Sequence, residues 1–292
     1  GTIDDGGNML TFANPIGNGG AGGFTKAGSG TLILNGTNSY SGNTIVSAGT
    51  LALGYGANVS NSAAIMVNAG ATFDVTTYGD YYLTLNPGVG QMLAGAGSVN
   101  GVLTAPAGTT ISPATNGVFG TLTFANDLTV SGATLALDVS NTNHDLIAVG
   151  GTLYLNSGTL QLNVTGTLTN GVYKLIQYAS GLGSGSGSSG NLNLVGFSQP
   201  GQLAILSDAT AGEIDLIVGD SATDAISWAG TGSTWDLTGT QNWLLGGTTP
   251  WSYTNGDIVT FGESGLVNPN VSLMGTLLPG AVTVNNNASA YT

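Results

Sequence analysis

The 292-residue chain has no cysteine, no arginine and a single histidine, His144. The missing cysteine excludes disulfides, thiolate metal sites and a cysteine nucleophile. One histidine cannot build a histidine-rich metal centre. Positive charge is almost absent: Lys26 and Lys174 stand against 15 acidic residues, for a net charge of −13. Neutralising phosphates takes Lys and Arg, so nucleic acid is excluded as a partner and anionic membrane surfaces are disfavoured. Charged residues make up 6% of the chain, against about a quarter in ordinary globular domains. No apolar run reaches the roughly 18 residues of a spanning helix and no signal peptide is present, so this segment is not expected to insert in a membrane. No window of eleven residues carries a 3.6-residue period, and Glu, Lys and Arg, strong helix formers, are nearly missing.

What is abundant is glycine, 50 residues, together with Asn, Ser, Thr and an apolar fraction of 41% that rules out a wholly disordered chain. The tripeptide Gly-Thr-Leu occurs seven times, from Gly30, Gly49, Gly120, Gly151, Gly158, Gly166 and Gly275, where chance gives roughly one. After most copies apolar residues alternate, as in Leu32 and Leu34, Leu51 and Leu53, or Leu160 and Leu162. Period two marks a short strand with one buried face, and a leading glycine lets the chain turn a corner. Asn35, Asn38, Asn43, Asn156 and Asn163 lie near such corners, where stacked amides can bond along a ladder. These features predict an all-β fold, a right-handed parallel β-helix (β-solenoid) with a Trp-containing β module at its C-terminal end. At about 20–24 residues per coil, roughly 12–14 coils are expected.

The division expected is 1–219 for the β-helix, with a Gly/Ser loop at 180–190, and 220–292 for a Trp-rich β module that continues or caps it. All four tryptophans, Trp228, Trp235, Trp243 and Trp251, follow the composition change near Val218-Gly219-Asp220. A chain opening on glycine reads as a processed protein or a segment of a longer one.

Residues 24–54 run Phe-Thr-Lys-Ala-Gly-Ser-Gly-Thr-Leu-Ile-Leu-Asn-Gly-Thr-Asn-Ser-Tyr-Ser-Gly-Asn-Thr-Ile-Val-Ser-Ala-Gly-Thr-Leu-Ala-Leu-Gly. This stretch resembles the autotransporter-associated β-strand repeat, or passenger-associated transport repeat. The resemblance implies a right-handed β-helix in a large bacterial surface protein and an extracellular or cell-surface location. It also implies an unusual order. The tryptophan block and Ala281–Thr292 ordinarily precede the repeat, so the last strand reads as if it runs on into a segment like Gly1–Phe12, of the same gene product or of a neighbouring subunit. The membrane barrel that ends a complete autotransporter is absent from these residues.

Parallel β-helices also carry polysaccharide lyases and glycosidases. A lyase base falls to Lys26 or Lys174, and Lys26 reads as a surface structural residue of the repeat. Glu213 with Asp215, and Asp4 with Asp5, offer carboxylate pairs, better explained as solvated face or turn residues. A Ser-His-Asp triad needs His144, which sits in the polar turn Ser140–Asp145. No catalytic site and no cofactor is expected. Asp4, Asp5, Asp220, Asp224 and Asp257 are oxygen ligands open to calcium. Trp235 and Trp243 either stack against glycans or, the favoured reading, plug the end of a module.

A solenoid leaves unpaired strand edges and an apolar interior at each end unless capped, and no capping helix is evident. Met9, Leu10 and Phe12 at one end and Val282, Val284 and Tyr291 at the other are therefore the expected subunit interface. Complementary open ends make a non-closing, heterologous contact. The expected function is a structural building block of an extracellular fibre or stalk, joined head to tail with copies of itself. The alternatives are a monomeric adhesin passenger that binds surface glycans and a polysaccharide-degrading enzyme.

Overall fold

The computed structural model describes residues 1–17, 19–76, 81–114, 118–180, 189–220, 224–237 and 239–292. The central part of the expected Gly/Ser loop, 181–188, lies outside the described residues. The regular elements are strands apart from three short 3-10 helices among the described residues, and the chain divides into two compact units. The first comprises Gly1–Leu168, Lys174–Phe197 and Thr210–Asp215; the second comprises Thr169–Tyr173, Ser198–Ala209 and Leu216–Thr292.

The first unit is a parallel β-helix. Its opening strands are β1 (Thr2–Asp4), β2 (Met9–Phe12), β3 (Phe24–Ala27), β4 (Thr31–Leu34), β5 (Thr44–Val46) and β6 (Thr50–Leu53). Odd strands stack on odd and even on even, all parallel: β1 on β3 on β5, and β2 on β4 on β6. The chain thus returns to the same face after each circuit. Stacking continues through Ala64–Val67, Met92–Ala94 and Thr110–Ser112 on the first face and through Thr72–Asp74, Ser98–Asn100 and Thr121–Phe124 on the second. A third face forms where Tyr82–Thr84 pairs with Val102–Pro106. The 20-residue strand Leu146–Thr165 bends around all three.

The Gly-Thr-Leu signal acquires its meaning here. Leucine points inward and forms unbroken interior rows. One row runs Leu10, Leu32, Leu51, Phe73, Val99, Phe124, Val149 and Tyr178 from coil to coil. Leu32 through Phe124 are completely buried, each such side chain contributing about 1.5–3 kcal/mol of apolar burial. Threonine faces out, and glycine lets neighbouring corners touch. A Cβ on Gly30 would stand 2.1 Å from the Asn8 carbonyl oxygen, and one on Gly49 (φ +62°) 2.3 Å from the Gly30 carbonyl oxygen.

Two expectations are corrected. The first face counts eight returns among the described residues, from Thr2 to Val195, rather than 12–14 coils. Insertions lengthen some circuits, notably Ile65 to Leu93 and Leu160 to Leu194, and the last quarter of the chain leaves the ladder. The corner asparagines work mainly through other groups. Asn38 is buried, accepts from the Ile16 amide and donates to the Gly36 and Asn58 carbonyls; Asn156 and Asn163 donate to Ser131 and Asp138 one coil away.

The second unit carries all four tryptophans: Trp235 on a two-stranded sheet of Thr234–Trp235 with Ser272–Leu273, and Trp228, Trp243 and Trp251 on a five-stranded sheet in the order Thr249–Trp251, Trp243–Leu245, Ala225–Trp228, Ile258–Gly262, Ala281–Asn285. Its first two pairings are antiparallel and its last two parallel. A hairpin turning at Gly246 and Gly247, both with positive φ, thus gives way to a restarted parallel ladder.

Candidate functional site

Of the residues expected to mediate assembly, Met9, Leu10, Phe12, Val282 and Val284 lie on strands, and Tyr291 follows the last one. Among the described residues β1 pairs only with β3, and β2 only with β4, so both have one open edge. Met9 is 72% and Leu10 36% exposed, although Leu10 heads the interior row whose next members are sealed. Phe12 is half-buried. Beside it opens an apolar cavity of about 330 Å³, lined by Ile3, Phe12, Ile16, Phe24 and Tyr40. Its lining also includes Gly17, Gly20, Gly22 and Gly23, which contribute no side chains.

In the second unit Ala281–Asn285 pairs, among the described residues, only with Ile258–Gly262 and is exposed at every position. Val282 and Val284 lie opposite the buried Val259 and Phe261, and so on the core-facing side, yet they are 52% and 61% exposed. Tyr291 is half-buried: its ring packs edge-on to Phe261 at 5.0 Å and its hydroxyl donates to the Gly262 carbonyl.

A feature sequence reasoning missed holds the first coil in place. Lys26 is fully buried, not on the surface, which corrects the reading above. Phe24 and Lys26 are two apart on one strand and share its inward face, so the alternation did carry the signal. The Lys26 ammonium lies 2.7 Å from Asp5 Oδ2 and donates to the Ala27, Gly28 and Ala48 carbonyls at 2.8–3.1 Å. Asp5 Oδ1 accepts the Gly7 and Gly30 amides. The Lys26 ammonium holds the Asp5 carboxyl below its ordinary range, against the opposing effect of burial, and the two amides assist. Gly28 is required beside the pair, since a Cβ there would meet Asp5 Oδ1 at 2.4 Å. Lysine and the two glycines of Lys-Ala-Gly-Ser-Gly are thus one device: a charge sealed where three coils meet.

The calcium candidates do not converge. Asp5 is committed to Lys26, and Asp4 accepts the Gly6 amide. Asp257 is buried, with its two oxygens accepting the Asp224 and Thr254 amides; burial raises its pKa against those bonds. The side chain of Asp220 is not among those described. No group of three or more His, Cys, Asp or Glu is placed to hold a metal among the described residues.

The enzymatic candidates fare similarly. His144 Nδ1 meets the Asp145 carbonyl, while the Asp145 carboxylate is buried and accepts the Gly120 and Asp138 amides, turned to the backbone instead of the imidazole. Burial raises the Asp145 pKa, as it does that of Asp215, where nearby Glu213 adds to the effect. Glu213 is bridged by Lys174.

Trp235 and Trp243 are 6% and 1% exposed, within a cluster that includes Trp228, Tyr253 and Phe261. Edge-on contacts at 5.1–5.2 Å join Trp228, Trp243, Trp235 and Tyr253 in series. Neither ring offers a face to a sugar, so the glycan-stacking reading of these two residues is corrected.

A β-solenoid with repeated Gly-Thr-Leu corners is therefore the class of molecule in hand. Residues 24–53 match the family model of the Passenger-associated-transport-repeat. The adhesin BmaC autotransporter of Brucella suis biovar 1 (strain 1330) is 33% identical over 226 residues, which is 66% of this chain and 6% of that protein. The chain thus spans a small fraction of the length of the curated relative it matches. It carries a passenger-associated-transport repeat and is similar to an autotransporter passenger.

Proposed function

We propose that this chain is a structural element of an extracellular or cell-surface fibre or stalk, joined head to tail with copies of itself through its open strand edges. The observation that carries this reading is the exposure of core-facing residues on a strand edge of each unit, Leu10 in the first and Val282 and Val284 in the second. Unpaired parallel edges over an uncovered apolar layer are aggregation-prone unless another strand occupies them, and two different, mutually complementary edges propagate instead of closing. The resemblance to a passenger repeat supports a surface location. A non-enzymatic role accords with carboxylates committed to backbone amides and lysines. Negative-stain imaging and sedimentation of the purified chain test the proposal. Filaments that lengthen with concentration are expected, and a monodisperse 29 kDa species at every concentration refutes it.

The second reading is a monomeric adhesin, favoured by the name of the Brucella relative. It calls for saturable glycan binding by the monomer, through surfaces other than Trp235 and Trp243.

A further inference from the structure

The two open edges match one another in spacing, not only in being open. In β1 and β2 the core-facing residues are Ile3, opposite Lys26, and Leu10, opposite Leu32. Seven residues separate them along the chain. Corners of the next three coils are tighter: Lys26 to Leu32 is six, Val46 to Leu51 five, and Val67 to Phe73 six. At the C-terminal edge the last core-facing strand residue is Val284, opposite Phe261, and the next aromatic turned to the core is Tyr291, against the same Phe261. Here the separation is again seven. One ungapped offset therefore sets Val284 over Ile3 and Tyr291 over Leu10 together. It also sets the outward Thr283 over the outward Thr2. Both partner ladders are already parallel, with equal circuits of 23 residues in the adjoining layer, from Thr2 to Thr25 and from Ile258 to Ala281.

Resting on the head-to-tail reading above, we propose that the occupant of the β1–β2 edge is the C-terminal segment Ala281–Thr292 of a second copy. It lies parallel and in the register Thr283 opposite Thr2, Val284 opposite Ile3, Tyr291 opposite Leu10. Charge poses no obstacle, because Ala281–Thr292 carries no charged side chain and the nearest charge in β1, Asp4, would meet Asn285. Side chains of alternating parity meet their own kind: valine covers isoleucine, tyrosine covers leucine, and threonine lies beside threonine. A slip by one residue would turn Val282 and Val284 outward and set Thr283 over the apolar layer, which is why the register is specified.

Because the chain lacks cysteine, the register is open to direct test by disulfide trapping. Thr2 and Thr283 are exposed, so substitution leaves the fold intact, as circular dichroism would verify. Parallel neighbours lie about 4.8 Å apart, within disulfide reach, whereas an offset of two residues takes the pair to about 8 Å, beyond it. The double variant Thr2→Cys/Thr283→Cys should give a ladder of covalent dimers, trimers and longer species on mild oxidation. Asp4→Cys/Thr283→Cys should give none above the level of the single variants. Filaments by imaging without the Thr2–Thr283 ladder, or with an equal ladder from the Asp4 pair, overturn the register and leave head-to-tail assembly standing. A monodisperse monomer that neither assembles nor crosslinks overturns both.

Discussion

Truncating two leucines of a single interior row distinguishes a covered coil from an open one. Leu51 is fully buried between Leu32 and Phe73. Replacing it by alanine removes about three methylene equivalents, about 2.4 kcal/mol of transfer free energy, and the resulting cavity raises the loss to about 3–4 kcal/mol. Leu10 is 36% exposed. The same truncation there forfeits about two-thirds of the transfer contribution, about 1.5 kcal/mol, and leaves no closed cavity. The remaining third leaves water only when a second copy covers the coil. Losing it weakens each contact between copies by about 0.9 kcal/mol, a four- to fivefold rise in the threshold concentration for filaments. Urea titration of dilute protein by far-UV circular dichroism measures the first quantity. Sedimentation across a concentration series measures the second. Tryptophan fluorescence, confined to the second unit, serves as the internal control and should not move for either variant. A Leu10→Ala loss as large as that of Leu51→Ala in dilute protein would mean the coil is already capped. An unchanged assembly threshold would mean the edge is not a contact. Either result refutes the reasoning.

Lys26→Met should lower the melting temperature by stranding the Asp5 carboxylate, and Asp5→Asn/Lys26→Met should recover part of the loss because no lone charge is left buried. Since the Asp5 pKa is lowered on folding, its contribution is present above the ordinary carboxylate value of 3.8 and disappears as pH falls through the folded value; melts from pH 7 to pH 2 should show wild type and the double variant converging at the acid end. Gly30→Ala should cost about 1–3 kcal/mol, because the added Cβ meets the Asn8 carbonyl and only backbone can yield; denaturant melts check it. Trp235→Ala should destabilise the second unit by about 3–5 kcal/mol, read by fluorescence of the remaining tryptophans, with no change in glycan retention on an affinity matrix.

The ladder was legible because its signal is local and repeated. Gly-Thr-Leu encodes a corner, an outward hydroxyl and an inward leucine in three successive residues, and Leu32, Leu51, Leu122, Leu153 and Leu160 are all sealed inside. Coil number was not legible, since it depends on where insertions such as 74–86 interrupt the circuit, and such segments carry no periodicity of their own. Lys26 illustrates a conflict between two rules: strand parity put it inside with Phe24, while the cost of burying an ammonium argued for the surface. Its partner Asp5 stands 21 residues earlier, a separation that only coil stacking converts into contact. That Met9, Leu10, Val282 and Val284 stand exposed on strands was legible from their places near the two ends of the sequence. Their mutual register was not, because it requires knowing which parity faces the core at each edge.

Sealing Lys26 has a consequence for handling and for survival outside a cell. Trypsin cleaves after lysine and arginine, and this chain offers it two bonds. The first follows a residue with no solvent-exposed surface, and the second follows Lys174, which is ion-paired with Glu213. The folded material should therefore persist in trypsin-rich surroundings. Even when unfolded these residues would be cut only after Lys26 and Lys174, leaving 27–174 as one piece too long for routine peptide detection. A survey built on tryptic peptides would therefore register little of these 292 residues.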